Sequence, residues 1–277
     1  MAAEAAPTQS HAAPSNAAEE PVLLTERRQD GVALLTLNRP RAYNALSEEL
    51  LAALTAELKA LAADESLRCL VLGAAGKAFC AGHDLKQMRS RPDQDYYRRL
   101  FASCSEMMQA IVALPVPVIA RVQGMATAAG CQLVATCDLA VTVEEARFAT
   151  SGINAGLFCS TPAVALTRNI PIKPAFEMLV TGDFIPAAEA LRLGLVNRVV
   201  PAAALDQAVE ELVGKILSKS PVAVRTGKRM VYEQLQKGLS DAYAYAGEIM
   251  ACNMMAEDAG EGIDAFIEKR PAVWKGR

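Results

Sequence analysis

A layered α/β fold is predicted for this chain by three observations. Strand-like and helix-like segments alternate through its first half. Glycine-containing loops fall at two strand-to-helix passages, around Gly73–Gly82 and at Gly124. The part after Pro162 is mostly helical in pattern.

Taken in order, Val32–Leu37 has strand character after the turn signal Asp30-Gly31. Ser47 is placed to cap a helix running to about Ala63, with Glu48 and Glu49 in its first turn and Leu50, Leu54, Leu58 and Leu61 as its apolar stripe. Leu67–Leu72 reads as a buried strand. Tyr96–Leu114 reads as a helix ended by Pro115 and Pro117, and Val116–Val122 as the next strand. The small, apolar Ala128–Cys137 suits a buried helix, and Leu139–Val143 is again strand-like. Beyond Pro162 the helices expected are Ala187–Leu193, Leu205–Ser218, Pro221–Gln236, Leu239–Ala256 and Gly260–Lys269, with a short strand at Val196–Val200.

With 277 residues, 52% of them hydrophobic, the chain is long enough for a sizeable core. A net charge of −3 provides no global field for nucleic acid or an anionic membrane. No apolar run is long enough to span a bilayer. The seven cysteines contain no C-x-x-C pair and mostly sit in apolar runs, so reduced, buried thiols are expected. The two histidines, His11 and His83, rule out a His-rich metal site. Residues 1–20 are Ala-rich, with no Arg or Lys and no apolar h-region. They read as a disordered leader rather than a targeting peptide, and a cytoplasmic location is the default expectation.

Two strand–loop–helix junctions carry the candidate chemistry, Lys77-Ala78-Phe79-Cys80-Ala81-Gly82-His83-Asp84-Leu85-Lys86 and Gln123-Gly124-Met125-Ala126-Thr127-Ala128-Ala129-Gly130-Cys131. A backbone N–H at a helix start has no intrahelical partner and faces the positive end of the helix dipole. Two of them aimed at one point would hold the oxyanion of a thioester enolate. Pattern alone favours two ordinary βα turns.

From Val22 to Lys275 the chain resembles the crotonase (enoyl-CoA hydratase/isomerase) superfamily. The segments that carry the resemblance are Asn38-Arg39-Pro40-Arg41-Ala42-Tyr43-Asn44-Ala45-Leu46, Phe79–Met88, Pro117-Val118-Ile119-Ala120, Gly130-Cys131-Gln132-Leu133 through Cys137-Asp138, Thr181-Gly182, Gly194-Leu195-Val196 and Glu261-Gly262 through Arg270. The resemblance implies a spiral of ββα units over 21–200 and a helical C-terminal region over 201–277 that drives trimer formation, with trimers often paired into hexamers. It implies backbone oxyanion donors at His83 and Ala129. An acyl-CoA would lie along Arg41, Ala81, His83, Asp84, Leu85 and Lys86, with Lys269 reaching the CoA of a neighbouring subunit. No separate cofactor is implied, because CoA is part of the substrate.

Hydratases of this family carry two glutamates, and this chain has Gln132 and Gly152 at those positions. Hydration needs one group to orient and deprotonate water and another to protonate the α-carbon, tasks for tuned carboxylates. Gln132 can hydrogen-bond a water but not exchange a proton, and Gly152 contributes no group. Glu144 and Glu145 are near in sequence but read as surface residues. A group within the family that lacks both glutamates is closer still, through Ala146-Arg147-Phe148-Ala149-Thr150, Gly156–Pro162 and the ending Lys269–Trp274.

Hydration is therefore expected to be weak or absent. Three hypotheses stand: altered acyl-CoA chemistry, including decarboxylation, which the pair His83-Asp84 also resembles; non-catalytic acyl-CoA binding; and a trimeric scaffold alone. The His83 ring is read either as an acid, base or polar wall near the thioester or as packing or bonding to a nearby carboxylate. Cys159 and Ser160 lack an evident base, so pocket-lining or buried roles are expected. Asn154 is a candidate for orienting a water. Met88, Tyr96, Phe101 and Phe158 are expected to set pocket depth.

Overall fold

A computed structural model describes residues 20–277, so all but the last residue of the expected leader lies outside the described residues. Runs of buried β-branched and leucine side chains build a six-stranded sheet in the order β1 (Leu23–Arg27), β2 (Val32–Leu37), β3 (Cys69–Ala74), β5 (Val118–Val122), β7 (Leu139–Val143) and β10 (Arg198–Val200). Only the β1–β2 pair is antiparallel. A second sheet joins β4 (Ala78–Cys80), β6 (Met125–Thr127), β8 (Arg147–Ala149) and β9 (Ile185–Pro186); its first three strands are parallel. Strands β3, β5 and β7 each pass directly into β4, β6 and β8. The chain therefore climbs in ββα turns, each contributing one strand to each sheet.

The helices complete the turns. α1 (Glu48–Ala62) is capped by Ser47, whose hydroxyl accepts from Leu50 N, and its leucine stripe is buried. α2 (Leu85–Ser90) and α3 (Gln94–Ala113) follow β4, and the wholly buried α4 (Ala129–Thr136) follows β6. α5 (Ser160–Asn169), α6 (Ile172–Thr181) and α7 (Ala187–Leu193) follow β8. Helices α5 and α6 were not among the expected elements; Pro162, Pro171 and Pro174 break the pattern there, yet Pro162 and Pro174 sit in helix first turns, where proline costs no hydrogen bond. The strand expected at Leu67–Leu72 begins two residues later, because Leu67 N closes a turn onto Asp64 O.

The C-terminal helices are α8 (Leu205–Leu217), α9 (Pro221–Gln234), α10 (Leu239–Met254) and α11 (Glu257–Glu268). α8 buries Leu205, Ala208, Val209 and Val213. α9 has no fully buried residue and is tied down by polar bonds. Lys228 Nζ donates to Asp138 Oδ2 at 2.7 Å and to the carbonyls of Ile111 and Val116. Tyr232 donates its hydroxyl to Asp138 Oδ1 at 2.7 Å, and the same carboxylate accepts Val118 N. Burial lowers the Lys228 pKa despite the adjacent carboxylate, and raises that of the Tyr232 phenol. The tail is fastened by Asp258, which accepts from Ser220 Oγ, Lys275 N and Gly276 N.

Truncating Lys228 to alanine leaves the largely buried Asp138 carboxylate without its cation, with only the Tyr232 hydroxyl and the Val118 N–H, at a cost of about 3–5 kcal/mol. The thermal midpoint, followed by calorimetry, is expected to fall by roughly 10 °C. An unchanged midpoint would mean that α9 is held by something other than this triad.

Candidate active site

The three short parallel strands decide where the site lies. The register Cys80↔Ala126 and Thr127↔Ala149 brings the ends of β4, β6 and β8 side by side. The loops that follow, 81–84, 128–129 and 150–152, therefore share one edge, and they hold His83, Ala129 and Gly152.

The first loop is held by backbone and by charge. Leu46 N donates to Gly82 O at 2.8 Å and Asp84 N to Leu46 O at 3.3 Å, leaving the His83 N–H between them pointing elsewhere. Asp84 caps α2 by accepting from Gln87 N and is ion-paired to Arg39 Nη2 at 3.0 Å. Those bonds keep the Asp84 carboxyl below its ordinary pKa against the opposing effect of burial. The second loop turns sharply at Ala128, whose φ of 50° lies in the left-handed region. A Cβ carbon there is strained, and Ala128 is kept in place by donating its N–H to Ala149 O at 3.0 Å. Ala129 then opens α4, so its N–H has no intrahelical acceptor.

The two loops touch. Gly82 has φ +92°, and a Cβ built on it would fall 2.9 Å from Ala128 Cβ and 3.3 Å from Ala129 N. Glycine is required there by both conformation and contact. Among the described residues, neither His83 N–H nor Ala129 N–H has a protein acceptor. Two free donors thus stand on abutting loops; two such N–H groups aimed at one point hold a developing oxyanion.

Gln132 lies one turn along α4 from Ala129, on the same face, and is 5% exposed. Its amide oxygen is buried without a partner. Gly152 leaves no space for a side chain: a Cβ there would stand 2.8 Å from Cys159 Sγ and 2.8 Å from Leu157 O. The position was expected to be bare, and it is filled. Burial raises the pKa of the Cys159 thiol, opposed by the Gly152 backbone N–H that faces the sulfur. Glu144 and Glu145 are exposed in the turn between β7 and β8. Asn154 and Phe158 are exposed too, whereas Tyr96 is buried.

The His83 ring packs edge-on against Phe101, with centroids 5.4 Å apart, and both ring nitrogens are buried without a hydrogen-bond partner. It does not reach the Asp84 carboxylate, which Arg39 holds. Burial lowers its pKa; the Leu46 backbone favours the protonated ring without completing a bond.

Of the residues expected along CoA, Ala81 donates its N–H to Tyr43 O at 3.0 Å, and Arg41, Leu85 and Lys86 are exposed around it. Lys269 is exposed at the left-handed end of α11, with no bond to that group. A cavity of about 520 Å³ opens among the C-terminal helices, lined by Ser220, Asn253, Ile263, Phe266 and Trp274. It shares no residue with the oxyanion loops. The Arg39–Asp84 pair, the Ala128 strain and the Cys159 plug escaped the sequence reading.

Restoring a carboxylate through Gly152→Glu is expected to destabilise the chain by about 1–3 kcal/mol through overpacking, read as a lower denaturation midpoint. A fully stable Gly152→Glu protein would show that the loop yields. A second outcome concerns pH. The folded pKa of His83 lies below the ordinary 6.5, so the unfolded chain binds that proton more tightly. The stability gained by burying the neutral ring is present above 6.5 and lost as pH falls through it, by up to about 1.4 kcal/mol per pH unit. Urea titrations from pH 7.5 to about 5 are expected to show this slope, flattened in His83→Phe; an equal slope in the variant would assign it to other groups.

A family model described as enoyl-CoA hydratase/isomerase matches residues 27–277. The chain is 46% identical over 263 residues to the rat protein named enoyl-CoA hydratase domain-containing protein 3, mitochondrial, covering 95% of this chain and 88% of that one. A crystal structure of an enoyl-CoA hydratase from Mycobacterium smegmatis is 60% identical, with a TM-score of 0.91 over 92% of this chain and 99% of the other. That of human enoyl-CoA hydratase domain-containing protein 3 is 43% identical, with a TM-score of 0.88 over 91% and 100%. The cytoplasmic expectation is corrected by these relatives: the rat, mouse and human proteins are all named mitochondrial, and the lack of leader arginines is too weak a sign to stand against them. The chain belongs to the enoyl-CoA hydratase/isomerase family, and its fold is the crotonase spiral.

Proposed function

We propose that this protein binds an acyl-CoA thioester with its carbonyl oxygen between the N–H groups of His83 and Ala129, and that it stabilises an enolate there without efficiently adding water. The observation that carries this reading is the pair of unsatisfied donors on abutting loops. In a dry site such donors are worth far more than in water, and no reorganisation is needed as charge develops. The hydratase names of the relatives agree with a CoA thioester as ligand. The carboxylates that hydration calls on are missing: Gln132 cannot carry a proton to and fro, and Cys159 and Leu157 fill the space at Gly152.

One observation favours a second chemistry at the same place. Asp84, the carboxylate next to His83 in the chain, is engaged by Arg39, and positions 132 and 152 hold glutamine and glycine. Decarboxylation of an α-carboxyacyl-CoA of the malonyl type suits such a site: the bond between Cα and the carboxylate breaks, CO₂ leaves, the electron pair moves onto the thioester oxygen, and the enolate then takes a proton from water at Cα. That step needs the oxyanion donors and no acid–base pair.

Self-association belongs to the same proposal. Ile172, Phe176 and Val180 form an exposed apolar row on α6, and Leu239, Tyr243 and Phe266 are exposed on the C-terminal helices. Two different unpartnered faces on one chain suit head-to-tail contacts that close into a ring. A trimer or paired trimers fit that pattern.

Hydration of crotonyl-CoA, followed by loss of the enoyl absorbance, is expected to run about 10²–10⁴-fold slower for each missing carboxylate than in a two-glutamate relative. Rapid hydration would overturn the reading. A panel of enoyl-, β-keto-, malonyl- and methylmalonyl-CoA esters tests the alternatives, with Ala129→Pro, which deletes one donor, as the control.

A further inference from the structure

Coenzyme A carries a diphosphate and a ribose phosphate, together about −3.5 to −4 near neutral pH. Arg41 and Lys86 alone leave much of that charge unmatched. We propose that Lys77 is a third cation for those phosphates and that Tyr43 positions it, an assignment that rests on the acyl-CoA reading above.

Lys77 Nζ stands 5.3 Å from the centroid of the Tyr43 ring, a cation–π contact. Among the described residues it has no carboxylate partner, unlike the ion-paired Lys59, Lys228 and Lys275. Both side chains are exposed, so the ammonium is held at the surface rather than buried.

The backbone beneath them is built as a rigid corner. Asn44 is 0% exposed, and its amide donates to Ala75 O and Ala78 O at 2.8 Å each, bracketing Lys77. Its Oδ1 accepts Arg39 N at 2.9 Å. Gln123 Nε2 donates to the carbonyls of Ala74, Gly76 and Ala78. A Cβ on Gly76 would lie 2.7 Å from Pro40 Cβ, so the two segments are in close contact. Tyr43 and Asn44 both take left-handed φ values, 51° and 54°. An exposed aromatic residue in that region persists only where its surroundings over-determine it.

The corner also abuts the site. Tyr43 O accepts the N–H of Ala81, at the start of the oxyanion loop, and Arg41 lies two residues before Tyr43. Lys86 lies in the first turn of α2, beyond the same loop. Arg41, Lys77 and Lys86 therefore lie on three segments that this corner and the loop after β4 tie together. Tyr43 restricts the lysine to one arc and reduces the freedom it loses on binding.

The test is calorimetric titration of butyryl-CoA and of butyryl-pantetheine, which lacks the nucleotide, into wild type, Lys77→Gln, Tyr43→Leu and the double variant. Lys77→Gln is expected to weaken butyryl-CoA about 3- to 10-fold, an effect that shrinks with added salt, and to leave butyryl-pantetheine unchanged. Lys77→Arg should retain most of the affinity. Tyr43→Leu is expected to weaken butyryl-CoA in the wild-type background and add nothing in the Lys77→Gln background. Wild-type protein that fails to bind butyryl-CoA takes down the acyl-CoA reading itself. Wild type that binds, with Lys77→Gln equal to it or weakened equally toward both ligands, overturns the lysine assignment alone. Additive losses in the double variant overturn the positioning role of Tyr43.

Discussion

Everything at the candidate site depends on the parallel pairing of three strands only three residues long. β4, β6 and β8 fix the heights at which successive turns of the spiral end. A one-residue slip in that ladder would turn every side chain to the opposite face and carry the loops past one another. The ladder itself is weak, being short. It is held in register by the longer sheet behind it, where β2, β3, β5 and β7 pair over buried leucine, valine and isoleucine. The hydrophobic core thus sets the position of two backbone N–H groups, and no side chain is required to do so. That is why alanine is compatible with the second donor, although Ala128 before it bears the strain.

On the proposed acyl-CoA reading, the acyl end and the nucleotide end of the surface are built on different physics. At the acyl end the loop positions present neutral groups: an amide, a buried imidazole and a thiol. At the other end lie exposed cations on a corner braced by Asn44 and Gln123. Unpartnered buried polar atoms on His83 and Gln132 cost about 1–3 kcal/mol each when nothing satisfies them. A chain kept only as a scaffold would have no use for that cost, whereas a bound polar ligand would remove it.

Much of this was legible in the sequence, for identifiable reasons. The Ser47 cap, the leucine stripe of α1, and the strands at 32–37 and 139–143 follow from local pattern. The spiral order and the two donor positions came from resemblance, because alternation alone also permits ordinary βα turns. What escaped was tertiary. Nothing local to Ala78–Cys80 or Met125–Thr127 distinguishes a three-residue strand from a loop, since their partners are some 45 residues away along the chain. Helices α5 and α6 were hidden by prolines that fall in first turns. The fate of the His83 ring was open until Phe101, 18 positions later, was seen against it.

The emptied carboxylate positions show the same limit from another side. Sequence registers a glycine at 152 and suggests vacancy. In the fold, removing a side chain does not leave a hole when neighbours can collapse into it, because interiors are close-packed. Cys159 Sγ and Leu157 O occupy the space, and Leu157 N closes the turn onto Gly152 O at 2.9 Å. The loss is therefore not a point change waiting to be reversed. Reinstating one carboxylate means reopening a loop whose hydrogen bond and sulfur contact now stabilise the closed form. At Gln132 the opposite holds: the side chain keeps the length of a glutamate and loses only its charge and its titration. Position 152 is closed by its neighbours and position 132 holds a full-length amide, so the two departures expected from the family resemblance are not equivalent in the fold.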